Sequence, residues 1–81
     1  MANDLDELIL LERSSETERA RLAGLAGDEY RAQWERWRSA AVAFQAAVTA
    51  YAGRDDVKES RYEVEQAAKR AVRHASEDPA E

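Results

Sequence analysis

Eighty-one residues with a formal net charge of −5 are enough for one small domain, residues 1–81, and not for more. Cysteine is absent, which excludes a disulfide framework, a Cys-based zinc site and a thiol nucleophile. Of the 44% hydrophobic residues, 17 positions are alanine and only 19 carry a larger apolar side chain, so the core is thin and self-association would supply burial that the monomer lacks.

Charge and hydropathy narrow the class further. By segment the net charge is −3 for residues 1–25, 0 for 26–53 and −2 for 54–81, so no third of the chain is basic and nucleic acid is not the expected partner. The longest strongly apolar run is Leu8-Ile9-Leu10-Leu11, far below the ~20 residues a bilayer span requires, and no membrane role is expected. Acids (Asp4, Asp6, Glu7) stand where a secretory leader would be basic, which points to the cytoplasm. Ten Arg against two Lys, with abundant Ala, is a composition associated with GC-rich genomes, and a bacterial source is expected.

The chain reads as all-α, with three helices near 4–23, 28–52 and 55–76. The first opens after Asn3 as N-cap, with acids in its first turn, and closes at Gly24 with Leu25 folding back. Ser15 and Glu18 have capping-box spacing and offer a competing start, but a break there would waste the apolar register on both sides, so one continuous helix is expected.

The second helix carries the clearest signal. Tyr30, Trp34, Trp37, Ala41, Phe44, Val48 and Tyr51 are spaced 4, 3, 4, 3, 4, 3, a coiled-coil-like seam. From Ala40 to Ala52 only Gln45 and Thr49 are polar, so this helix is central. The third is expected to begin at Asp55 as N-cap, with a seam of Val57, Arg61, Val64, Ala68, Ala71 and Ala75 and basic residues at its C-terminal end. Residues 77–81 read as a frayed acidic tail.

Short turns imply a three-helix up-down-up bundle in which Leu5, Leu8, Ile9 and Leu11 fall against the Ala-rich half of helix 2, while Trp34 and Trp37 face Ser15, Ala20, Ala68, Ala71 and Ala75. The alternative is a long hairpin of helices 2 and 3 that dimerises, with helix 1 as an arm.

Chemistry-bearing constellations are few. His74 is the only imidazole and sits near a helix end beside Arg70 and Arg73, where the dipole explains it; no metal, cofactor or catalytic residue is assigned, and an enzyme is not expected. Arg61 on the third seam needs a partner, and by level it should reach Glu12 or Glu16 and Gln45 in an internal polar bridge; the alternative is that it snorkels. Trp34 and Trp37 mix with Arg36 and Arg38 in a pattern that fits core packing better than base stacking.

Two tryptophans in a short acidic helical chain give a superficial similarity to the secreted helical hairpins of bacterial type VII systems. Their Trp-x-Gly turn is missing, because Trp34 and Trp37 lie inside a helix and the turns read Gly24-Leu25-Ala26-Gly27 and Gly53-Arg54, so no family is assigned.

The expected function is that of a small helical protein–protein interaction or regulatory adaptor module, with a nucleic-acid-associated transcriptional regulator as the alternative. Its contact surface is expected on helix 2, at Val42, Val48 and Tyr51 with Trp34 and Trp37, because two neighbouring helices cannot cover a stretch apolar on nearly all sides. The partner is another protein or a second copy of the chain in a homodimer.

Overall fold

The computed structural model describes residues 4–77, and within them the chain forms three helices and no strand: α1 (Asp4–Ala20), α2 (Gly27–Ala52) and α3 (Arg61–Glu77). Asn3, expected as the first N-cap, and residues 78–81 of the expected acidic tail lie outside the described residues, while Glu77 belongs to α3 and not to the tail. All three helices contact one another as in a three-helix bundle, so α1 is a member of the bundle and not an arm.

α1 runs unbroken through Ser14 and Ser15, and Ser15 is buried. It ends at Ala20, short of the glycine, and unwinds through tighter turns in which Leu22 N–H donates to the Arg19 carbonyl at 3.1 Å and Leu25 N–H to the Leu22 carbonyl at 3.2 Å. Gly24 at φ +83° and Gly27 at φ +60° take the left-handed backbone that reverses the chain into α2.

α3 starts at Arg61, six residues later than Asp55. Ser60 Oγ accepts a hydrogen bond from the Glu63 N–H at 3.1 Å, and Glu63 Oε1 accepts one from the Ser60 N–H at 2.9 Å, a complete capping box. In the preceding segment Arg54 Nε and Nη2 donate to the two carboxylate oxygens of Asp56 at 3.1 and 2.8 Å, and Val57 N–H donates to the Arg54 carbonyl at 3.1 Å. These bonds hold 53–60 as a connecting loop, from which half-buried Val57 still packs on the core.

The core consists of Leu8, Phe44, Val48, Val64 and Ala68, with Leu5, Ile9, Leu11, Ala47, Tyr51 and Ala52 packed around it. Each helix contributes, and large side chains from the start of α1 meet the alanine-rich end of α2. Burying each of Leu8, Phe44 and Val48 stabilises by roughly 1.5 to 3 kcal/mol. The inward line of α2 runs Gln33, Trp37, Ala40, Phe44, Val48 and Tyr51 and departs from the expected seam in its N-terminal half. Gln33, not Trp34, is buried there: its Nε2 donates to the Glu18 backbone carbonyl at 2.8 Å and to Glu18 Oε1 at 2.7 Å, while Arg36 Nη1 donates to Gln33 Oε1 at 3.2 Å. That amide ties α2 to the end of α1 and rotates Trp34 outward.

Candidate interaction surface

The later turns of α3 pack along α1. Lys69, Val72 and Arg73 share a cleft with Glu12 and Glu16, and Val72 and Ala75 share another with Arg13, Thr17 and Ala20. Trp34 and Trp37 line an open, largely apolar groove on α2, together with Ala41, Val42 and Ala46.

The aromatic end of this groove is ordered by its own contacts. The Trp34 and Trp37 rings meet edge to face, with centroids 6.5 Å apart and planes at 74°, and the Arg38 guanidinium carbon lies 5.9 Å from the Trp34 ring centroid. Trp34 is 37% exposed and Val42 56% exposed, whereas Trp37 is half-buried. A shallower cleft of Tyr30, Arg31, Trp34 and Glu35 continues the face toward the start of α2.

Gln45 and Thr49 form the polar end, and α3 braces it. Arg61 Nε donates to Thr49 Oγ1 at 3.0 Å, its Nη2 donates to Gln45 Oε1, and its Nη1 donates to Glu65 Oε1 at 3.1 Å. Gln45 Nε2 completes the set by donating to Glu65 Oε2 at 3.1 Å.

Two of the expected surface residues are placed differently. Val48 is fully buried between the other helices and is not part of the outward face. Tyr51 is half-buried against the core, with the Arg54 guanidinium carbon 5.3 Å from its ring centroid. The expected polar bridge is also redistributed. Arg61 meets Gln45 but neither Glu12 nor Glu16, because a helix starting at Arg61 puts this residue level with Gln45 and Thr49. Two turns on, Lys69 Nζ reaches Glu12 at 3.6 Å and Glu65 at 3.9 Å, while Glu16 Oε1 accepts from Arg19 Nη2 on its own helix at 2.8 Å.

Lys69, Glu65, Thr49 and Gln33 are structural polar residues that sequence reasoning missed. Lys69 was traceable in the i, i+4 ladder Arg61, Glu65, Lys69. For Gln33 no pattern marks a polar side chain one position off the aromatic seam as buried. Glu12 lies buried beside Lys69, and burial pushes its carboxyl above the ordinary value near 4.5, with Lys69 opposing the shift.

Among the described residues no group of three or more His, Cys, Asp or Glu side chains is placed to hold a metal ion, and His74 is exposed on α3. No helix among them is long and apolar enough to cross a membrane. No protein-family model, curated protein or solved structure matches the chain.

Proposed function

We propose that this chain is a small helical protein–protein interaction module that binds through the outward face of α2. The observation that carries the reading is the combination of exposed Trp34 and Val42 with an apolar groove between them, on a helix whose opposite side builds the core. Contact surfaces are enriched in ordered aromatics and arginine, and Trp34, Trp37 and Arg38 hold one another in place before any partner arrives.

The nucleic-acid alternative loses support from the same geometry. Of the basic residues Lys69, Arg70 and Arg73, Lys69 is committed to Glu12 and Glu65, which leaves two exposed arginines on an acidic chain. The test is retention of a binding partner by purified wild type and by two variants of equal helicity, Val42→Glu on the groove and Leu10→Glu at an exposed site away from it. Loss with Val42→Glu alone supports the reading. Equal retention by both variants sinks it.

A further inference from the structure

The groove has one bulky half and one small half. Trp34 and Trp37 stand at one end, while exposed Ala46 and Thr49 stand at the other, with Ala41 and Val42 midway. A surface divided in this way is complementary to itself when turned end over end. We propose that the face is occupied by a second copy of this chain, its α2 antiparallel to the first, with the two-fold axis passing between Ala41 and Val42. The proposal rests on the reading of the α2 face as a docking surface.

That axis sets Trp37 opposite Ala46 of the second copy and Trp34 opposite Thr49. Large then faces small twice over, as close helix packing requires. The charges agree with the same arrangement. Arg38 is the one charged residue of α2 lining the groove, and the axis sets it opposite Gln45 of the second copy, where the Arg61 guanidinium is already balanced by Glu65. Its own symmetry mate is seven residues away along the helix, or ~10 Å. A parallel pair would instead oppose Arg38 to Arg38 and Trp34 to Trp34, and would leave Ala46 facing Ala46 across a gap. Ser39 to Ala52 carry no charge of their own, and the Arg61 that α3 lays on Gln45 and Thr49 is paired with Glu65, so the second copy's α2 meets no unpaired charge from these residues on that half. Residues 31–49 give about 27 Å of contact length along one helix. A single helix face of that length is smaller than a standard interface of ~20 to 30 residues a side, so the pair is expected to form in a concentration-dependent way.

The natural chain has no cysteine, so single-cysteine variants report on geometry without interference. Val42 lies beside the axis, whereas Glu35 is displaced from its symmetry mate by thirteen residues, ~20 Å along an antiparallel pair. Full-length Val42→Cys should cross-link to a covalent dimer under mild oxidation and Glu35→Cys should not, since a disulfide needs Cα atoms within ~7 Å. Sedimentation of the wild type should show the mass rising from 9.1 kDa toward twice that value with concentration, and Ala46→Trp, which fills the small half, should weaken association at least tenfold while helicity is kept. Cross-linking of both cysteine variants would overturn the antiparallel arrangement. A wild type that stays monomeric into the sub-millimolar range would overturn the second copy as occupant. In that case a different protein held by wild type and lost with Val42→Glu keeps the docking surface itself, while no effect of Val42→Glu on any partner removes both.

Discussion

The Lys69 ammonium stands 3.6 Å from the buried Glu12 carboxylate and 5.3 Å from the Phe44 ring centroid, so one lysine of α3 ties α1 to the aromatic centre of α2. Glu12 is an ionisable group inside a thin core. Its burial outweighs the attraction of Lys69, and the folded chain therefore holds the Glu12 proton more tightly than the unfolded chain does. By linkage, Glu12 lowers stability progressively as pH rises from the ordinary value near 4.5 through the raised folded value, and the loss is complete above it.

Glu12→Gln keeps the shape and removes the charge. The variant should be more stable than wild type at neutral pH and should lose the pH dependence that Glu12 contributes in that window. Lys69→Met does the reverse by stranding the carboxylate, at a cost of roughly 1 to 3 kcal/mol at neutral pH that shrinks on acidification. Urea unfolding across the acid-to-neutral range checks both, and a Glu12→Gln variant less stable than wild type at neutral pH would contradict the account.

Ser60 and Glu63 hold the start of α3 by two reciprocal hydrogen bonds. Ser60→Ala should cost about 1 kcal/mol, and Glu63→Ala should add little once Ser60 is gone, because the two bonds close one box. Denaturant midpoints of the two single variants and the double variant measure the coupling. Additive losses would show that the cap is not the device that sets this helix end.

The same corner shows what the sequence makes legible and what it hides. Glycines at 24, 27 and 53 punctuate the first two helices well, because turn geometry at Gly24 and Gly27 needs a positive φ that few other residues adopt. Asp55 is the N-cap that the sequence suggests, and Ser60 is the one the fold uses. Ser60 closes its box with Glu63, while Asp55 stays in a loop whose Arg54 and Asp56 pair across it. On α2 the expected and observed lines share Trp37, Phe44, Val48 and Tyr51 and diverge at Gln33, whose burial depends on a carbonyl of α1 fifteen residues away. A period measured along one helix cannot register such a contact. The groove is legible in part for the same reason: the surplus of apolar positions on α2 is visible in the sequence, but which of them turn outward is fixed by Gln33.

Trp34 and Phe44 should separate sharply on substitution. Phe44→Ala removes the largest fully buried side chain and should cost roughly 3 to 5 kcal/mol, enough to unfold a chain this small. Trp34→Ala should cost less than about 1 kcal/mol at concentrations where the chain is monomeric, since surface truncations are mild. In a Trp37→Phe variant the remaining Trp34 fluorescence should be quenched readily by iodide. Strong protection in dilute solution would place this indole in the core after all.

Gln33 makes the most exacting prediction, because its buried amide donates to two oxygens of Glu18 at once. Gln33→Glu is nearly isosteric but replaces that donor with an acceptor, and it sets a carboxylate against both a carbonyl and a second carboxylate, with Arg36 beside the new group and exposed Arg21 on Glu18 as the compensating charges. The variant should lose roughly 1 to 3 kcal/mol at neutral pH, more than Gln33→Leu, which strands the carbonyl without adding charge. Its sign with pH is also fixed. The new carboxyl is raised in the folded chain, so stability returns as pH falls through that raised value and the protonated acid again offers a donor to Glu18. Melting curves at neutral and mildly acidic pH measure this, and a Gln33→Glu variant equal to wild type at neutral pH would show that the α1–α2 tie does not depend on the amide.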